Sequence, residues 1–389
     1  MAHETKNAPA GDPETAPRTR SRATGLAVNL CLIAASLLFV LIILEIGVRV
    51  FLPQRHGLSY VASDPELGWM QEPNARYEYQ RENAVPSRVS TNAYGLRTPD
   101  IPTEKEASAS RLLFIGDSFV QGLAVDDEAT FCRRLEALLN ANADDNAYQV
   151  INGGVDGFSP VQEMLLLERF LPIYKPDLVV QVFFAGNDFT DNADPAGRRR
   201  PVGMLDTNGE FVVVPPVAEG ETAASNRGGL IEKSQLAFLL RFKVFPRSPA
   251  LMKIAQRFGL ARYSGVRTRS IDLDAELAVV KNSIARSRAA VHDSGARYAM
   301  VLLPSPRNEA GETHDAAPPL FDEAEQLDRL AAFLGEASIP SLELAPALEA
   351  VAEGEEIYFA GIGHFTAHGH QKTAEVLEPF VRKLIAEGR

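Results

Sequence analysis

Four short stretches of this 389-residue chain set a hydroxyl, an amide or an imidazole beside glycine. The first is LLFIGDSFVQG, from Leu112 to Gly122, where an apolar run ends at a glycine and an acid and a serine follow. A serine placed after a buried strand and at the start of a helix stands at the carboxyl edge of a sheet, where open α/β folds bind ligands. The Ser118 N–H is then one of the unpaired donors of a helix start, available to a developing oxyanion. The spacing is not the G-x-S-x-G elbow, because position 120 is Val. Taken alone, GDS favours Ser118 as a helix cap. The second and third stretches, NGGVDGFSP and FFAGNDFTDN, put Asn152-Gly153-Gly154 and Gly186-Asn187-Asp188 directly after apolar runs. Glycine offers a backbone N–H that no side chain shields, and asparagine a neutral side-chain donor. The fourth, YFAGIGHFTAHGH, supplies His364 in a loop before a helix, a candidate general base for the Ser118 proton. His364, His368 and His370 also allow a metal-ligand reading. Neither an H-E-x-x-H pattern nor a cysteine partner accompanies them, so the expectation is no metal and no cofactor.

The elements that must position these residues follow from periodicity. Apolar runs bounded by turn residues at Leu112–Ile115, Gln149–Ile151, Leu178–Phe184, Tyr298–Leu303 and Ser341–Leu344 predict strands. Helical spacing lies between them: Phe131, Leu135, Leu138 and Leu139 share one face, and further helices fit 272–294, 320–335 and 370–385. Strands alternating with helices imply a parallel sheet covered on both sides. Asp64 to Pro102, rich in turn residues, predicts an ordered but irregular lead-in, with Trp69 and Tyr94 as core plugs rather than glycan contacts. Between Asp191 and Ser270 the alternation breaks, and a hairpin is expected around Asn208-Gly209.

In their order, GDSF, NGG, GND and GHFTAHGH resemble the SGNH, or GDSL-type, hydrolase superfamily, over about Ser110 to the C-terminus. The lead-in LGW…NAYGLR is similar to that of membrane-anchored bacterial members. The resemblance implies a flavodoxin-like three-layer α/β/α sandwich and hydrolysis or transfer of ester-linked acyl groups. It makes Ser118 the nucleophile and His364 the base. It also makes the Ser118 N–H, Gly154 and Asn187 the oxyanion hole, Gly154 being preferred to Gly153 by its distance from Asn152. One departure stands out. The family's aspartate two or three residues before the histidine is replaced by Ile362 and Gly361, neither of which can orient an imidazole. Loss of the orienting acid costs on the order of 10⁴ in rate in serine proteases. Asp188 and Asp315 are substitutes to consider, alongside a Ser–His dyad. An O-acyltransferase, a catalytically silent glycan-binding or assembly module and a metal-dependent hydrolase stay open as alternatives.

A formal charge of −12 excludes a general nucleic-acid binder. Cys31 and Cys132, far apart in the chain, are expected as free thiols. No charged residue falls between Arg22 and Glu45, and the apolar run is long enough to cross a bilayer. It is followed by no A-x-A-like site, which favours an uncleaved anchor at 26–48 over a signal peptide. Arg18, Arg20 and Arg22 place the N-terminus, a disordered tail over 1–25, in the cytoplasm. A lead-in at 49–109 and a catalytic domain at 110–389 then lie outside the inner membrane, facing the periplasm. The expected partners are an acylated carbohydrate or other ester substrate, and the membrane through the N-terminal helix. From Arg227 to Arg269 ten Lys or Arg accompany one acid, Glu232. This composition suits a membrane-surface segment, a lid or an ordinary solvated helix.

Overall fold

The computed structural model describes residues 22–52, 61–79, 86–106, 108–141, 147–193, 200–217, 234–240, 272–306, 321–351, 354–359 and 363–387. The chain divides into two compact units, one of residues 1–54 and 228–261, the other of 55–227 and 262–389. The first unit holds α1 (Arg22–Phe51), whose stretch Val28–Phe51 has a mean hydropathy of 2.8 and is long and apolar enough to cross a membrane. The helix begins four residues before the expected span and ends three after it. Late in α1, the Glu45 carboxylate accepts hydrogen bonds from Ser234 Oγ and from the Gln235 and Leu236 N–H groups.

The second unit opens with two hairpins, β1 (Val61–Asp64) with β2 (Gly68–Gln71) and β3 (Arg76–Tyr79) with β4 (Ser87–Ser90). After them the chain alternates: β5 (Ser110–Gly116), α2 (Ser118–Gln121), α3 (Phe131–Ala141), β6 (Tyr148–Gly154), α4 (Pro160–Tyr174) and β7 (Leu178–Phe184). A further hairpin, β8 (Val202–Leu205) with β9 (Phe211–Val214), turns through Gly209 at φ +82°, as Asn208-Gly209 predicts. In the first unit α5 (Gln235–Leu239) follows. The second unit then closes with α6 (Leu273–Asp293), β10 (Arg297–Leu303), α7 (Glu323–Glu336), β11 (Ser341–Glu343), α8 (Leu344–Val351) and α9 (Ala367–Ala386).

The five long-range strands pair in parallel in the order β11-β10-β7-β5-β6. Strand side chains alternate between two cores, as the period of two requires. Leu113, Ile115, Ile151, Phe183 and Met300 meet α4, α6 and α7 on one face. Leu112, Phe114, Val150, Val182 and Val301 meet α3, α8 and α9 on the other. This is the expected three-layer α/β sandwich. The chain leaves β5 toward β6 on one side and later returns to β7 on the other. Their carboxyl ends therefore flank a topological switch point, the usual ligand crevice of such sheets.

The lead-in is more regular than its turn-rich composition suggests, and it is bonded to the sheet layers. Arg169 of α4 donates to both Asp64 oxygens, at 2.7 and 2.9 Å, and Asn92 Nδ2 donates to Tyr174 Oη at 2.9 Å. Trp69 is half-buried and packs edge-on against Phe158, while Tyr94 stays 39% exposed and is not a core plug. Cys31 is exposed and Cys132 buried, and both are free.

At the start of β5, the fully buried Arg111 joins three segments. It donates to the Pro102, Glu104 and Tyr174 carbonyls and to Gln149 Oε1, and its own N–H bonds Asp177. Replacing it strands those acceptors away from water, the costly side of hydrogen-bond deletion. Arg111→Met is expected to lower unfolding stability by about 2–4 kcal/mol, read by urea titration.

Candidate active site

Ser118 opens α2, a helix of a single turn. Asp117 caps it by accepting the Phe119 N–H at 2.8 Å, and Gly122 ends it in the left-handed conformation at φ +80°. Ser118 is therefore not the cap residue. Its hydroxyl stands 3.5 Å from Asp117 Oδ2 and has a much closer partner on the other side. Ser118 Oγ lies 2.8 Å from His364 Nε2, across 246 residues of sequence. The imidazole is held flat against Phe119, with ring centroids 5.0 Å apart and planes inclined by 22°. Its backbone is fixed by the Phe359 N–H donating to the His364 carbonyl and by the bridge between Tyr358 and Phe365. The Ser118 N–H makes no hydrogen bond among the described residues, as expected of the first turn of a helix.

Asn187 also comes to this edge. Its Nδ2 stands 3.4 Å from Asp117 Oδ2 and 3.3 Å from Asp191 Oδ2. Gly154 does not contribute as the sequence reading expects. Strand β6 runs on through it, in register with Gly116, and its N–H donates to its own strand's Asn152 Oδ1 at 3.0 Å. A Cβ at Gly154 would lie 2.1 Å from the Gln121 nitrogen, so the glycine is there to let α2 rest on the strand. Gly157, three residues on, at φ +72° in the turn after β6, has an N–H with no hydrogen bond among the described residues. That turn is tied to α2, because the Asp156 N–H donates to Gln121 Oε1 at 2.7 Å. The signal for Gly157 was its position after the strand's true end, which a strand ending at Ile151 conceals.

Gly361, Ile362 and Asp315 lie outside the described residues. Asp188 is buried behind β7, with one oxygen accepting the Phe184 N–H at 2.7 Å and the other without a partner among the described residues, so it does not take the imidazole proton there. Among the described residues the three histidines do not converge on a metal centre. His370 Nδ1 accepts the Phe131 N–H, and burial holds that ring neutral with a pKa of about 3. His368 Nδ1 faces Glu355 at 3.1 Å.

Three buried carboxyls underlie the site. Asp117, Glu163 and Asp188 are each raised, chiefly by burial, and Asp117 reaches about 7. The charge of Asp117 adds to the rise of Glu163, and those of Glu163 and Asp117 to the rise of Asp188. Asp156 and Asp191 push Asp117 upward, against the Phe119 N–H that pulls it down.

The class these features define is an α/β fold with a serine-hydrolase type of site: a hydroxyl bridged to an imidazole at a parallel sheet's carboxyl edge, beside free backbone donors. Residues 114–372 match the model of the GDSL-like lipase/acylhydrolase family, and the chain belongs to that family. No curated protein matches the chain. Solved structures similar to it include a lipase/acylhydrolase from Enterococcus faecalis, 13% identical, with a TM-score of 0.40, over 70% of this chain and 96% of that one. A G-D-S-L family protein from Desulfitobacterium hafniense is 12% identical, with a TM-score of 0.36, over 69% and 98%. A catalytic mutant of an acetylxylan esterase from Geobacillus stearothermophilus is 13% identical, with a TM-score of 0.37, over 72% and 96%.

A raised carboxyl has a defined effect on stability. Between the unfolded value near 4 and the folded value near 7, the native state binds the extra proton, so stability falls as pH rises through that window and levels above it. Asp117→Asn, which keeps an acceptor for the Phe119 N–H, is expected to flatten this slope in melting temperatures measured from pH 4 to 8.

Proposed function

We propose that the protein is a membrane-anchored serine esterase that removes acyl groups, foremost O-acetyl, from a surface or exported glycan. The observation that carries the enzymatic part is the 2.8 Å contact between Ser118 Oγ and His364 Nε2. His364 takes the hydroxyl proton as Oγ attacks the ester carbonyl, and the carbonyl oxygen gains the negative charge. The Ser118 and Gly157 N–H groups and the Asn187 amide stabilise that oxyanion. Collapse of the intermediate expels the alcohol, which leaves with the proton His364 returns. Water then attacks the acyl-enzyme by the same route, releasing the acid and restoring the serine.

The neighbouring carboxyls fit this chemistry in one respect. Protonated Asp117 spares the developing oxyanion an adjacent negative charge. The glycan substrate rests on topology. The apolar helix α1 and the arginines before it favour a cytoplasmic N-terminus and an outward-facing domain, where ester-bearing polymers are the accessible substrates.

Full-length protein in detergent micelles, treated with a fluorophosphonate and digested, is expected to carry the label on Ser118. Ser118→Ala and His364→Ala are each expected to lower kcat/KM on p-nitrophenyl acetate by about 10³-fold or more with the melting temperature retained. Asn187→Ala is expected to cost about 10²-fold in kcat. Parental turnover in Ser118→Ala would remove the nucleophile from this reading.

A further inference from the structure

The family match begins at residue 114, yet the two hairpins before it are bonded into the turns that carry the reacting groups. Helix α2 has one turn, too short to hold its shape unaided. Its last carbonyls are taken by Arg97, which lies in the lead-in and is 2% exposed. Arg97 donates through Nη1 to the Gln121 and Gly122 carbonyls and through Nη2 to the Val125 carbonyl at 2.6 Å. Its Nε donates to Asp127 at 2.8 Å, so the guanidinium is held from the far side as well.

Gln71, at the end of β2 and 1% exposed, makes the second connection. Its Nε2 donates to the Gly154 carbonyl at 3.2 Å and its Oε1 accepts from Gln121 Nε2 at 3.0 Å. Gln121 in turn accepts the Asp156 N–H. One buried relay therefore runs from the lead-in through the nucleophile's helix into the turn that bears Gly157. Trp69 closes it from outside, donating from Nε1 to the Asp156 carbonyl at 3.1 Å. Gly95 sits over Gln71 at φ +77°, where a Cβ would lie 2.3 Å from the Gln71 carbonyl oxygen, so the lead-in's own turn is pressed onto the relay.

We propose that the lead-in is an integral part of the catalytic apparatus. Gln71 and Arg97 act as positioning residues that lock α2 to the turn after β6, so that the Ser118 and Gly157 N–H groups face one point. The proposal rests on the assignment of Ser118 as nucleophile. A misplacement of about 1 Å costs on the order of 10²-fold in rate, so the relay governs kcat rather than substrate binding.

The test uses full-length protein in detergent and the variants Gln71→Met, Gln121→Met, the double variant, and Arg97→Lys. Methionine keeps the length of glutamine without its hydrogen bonds. Lysine keeps the charge facing Asp127 but cannot serve three carbonyls from a planar fork. Each is assayed well below its own melting midpoint, by p-nitrophenyl acetate turnover and by the rate of fluorophosphonate labelling. Expected are a 10- to 100-fold drop in kcat and in labelling rate with KM nearly unchanged, and a double variant no worse than its weaker single. Kcat and labelling rates at the parental level in both Gln71→Met and Arg97→Lys would overturn the proposal, as would a loss confined to melting temperature. If Gln71→Met does not fold, Arg97→Lys decides by the same criterion. Absence of Ser118 labelling in the parent would instead refute the nucleophile assignment on which the proposal stands.

Discussion

The contact between Ser118 Oγ and His364 Nε2 is the constraint to which the rest of the catalytic edge answers. Neither residue is near the other in sequence, so the distance is set by β5, by the loop before α9, and by the sheet and core that join them. The imidazole is aimed by stacking on Phe119, the residue that follows the serine, so hydroxyl and imidazole are referenced to one turn of helix. Phe365 packs on Phe119 from the side, at 5.1 Å between centroids, and fills the space behind the ring. The geometry of the pair is thus a packing property of one hydrophobic core.

Beneath this edge lies an unusual density of buried polar groups. Glu163 accepts from Gln181 at 2.7 Å, and Asp188 accepts the Phe184 N–H. One oxygen of each carboxyl has no partner among the described residues. Burial of that kind is costly for an anion and tolerable for an acid, which is why their affinities for protons rise together. Arg111 and Arg97 do the converse at the sheet's two ends, each spending a buried cation on carbonyls that strands and a short helix leave open.

Much of this was legible from residue pattern. The five parallel strands and helices α3, α6, α7 and α9 follow from apolar runs and helical spacing, with Leu178–Phe184 recovered residue for residue. Ser118, His364 and Asn187 could be picked out because turn chemistry recurs after apolar runs. Gly154 was misplaced for a specific reason: β6 extends to residue 154, and glycines inside a strand look the same on paper as glycines in a turn. The lead-in hairpins escaped because each strand has four residues, too few to show a period. Gln71 and Arg97 carried no signal of their own, since a buried amide or guanidinium is recognisable only by the carbonyls it meets.

The shortness of α2 has a consequence for how such a molecule fails. A four-residue helix contributes little cohesion of its own, so its order is borrowed from the relay, the guanidinium and the aromatic stack. Local opening of that turn requires far less energy than melting the five-stranded sheet. Under mild denaturant the enzyme would fall silent while still compact, its scaffold outlasting its chemistry.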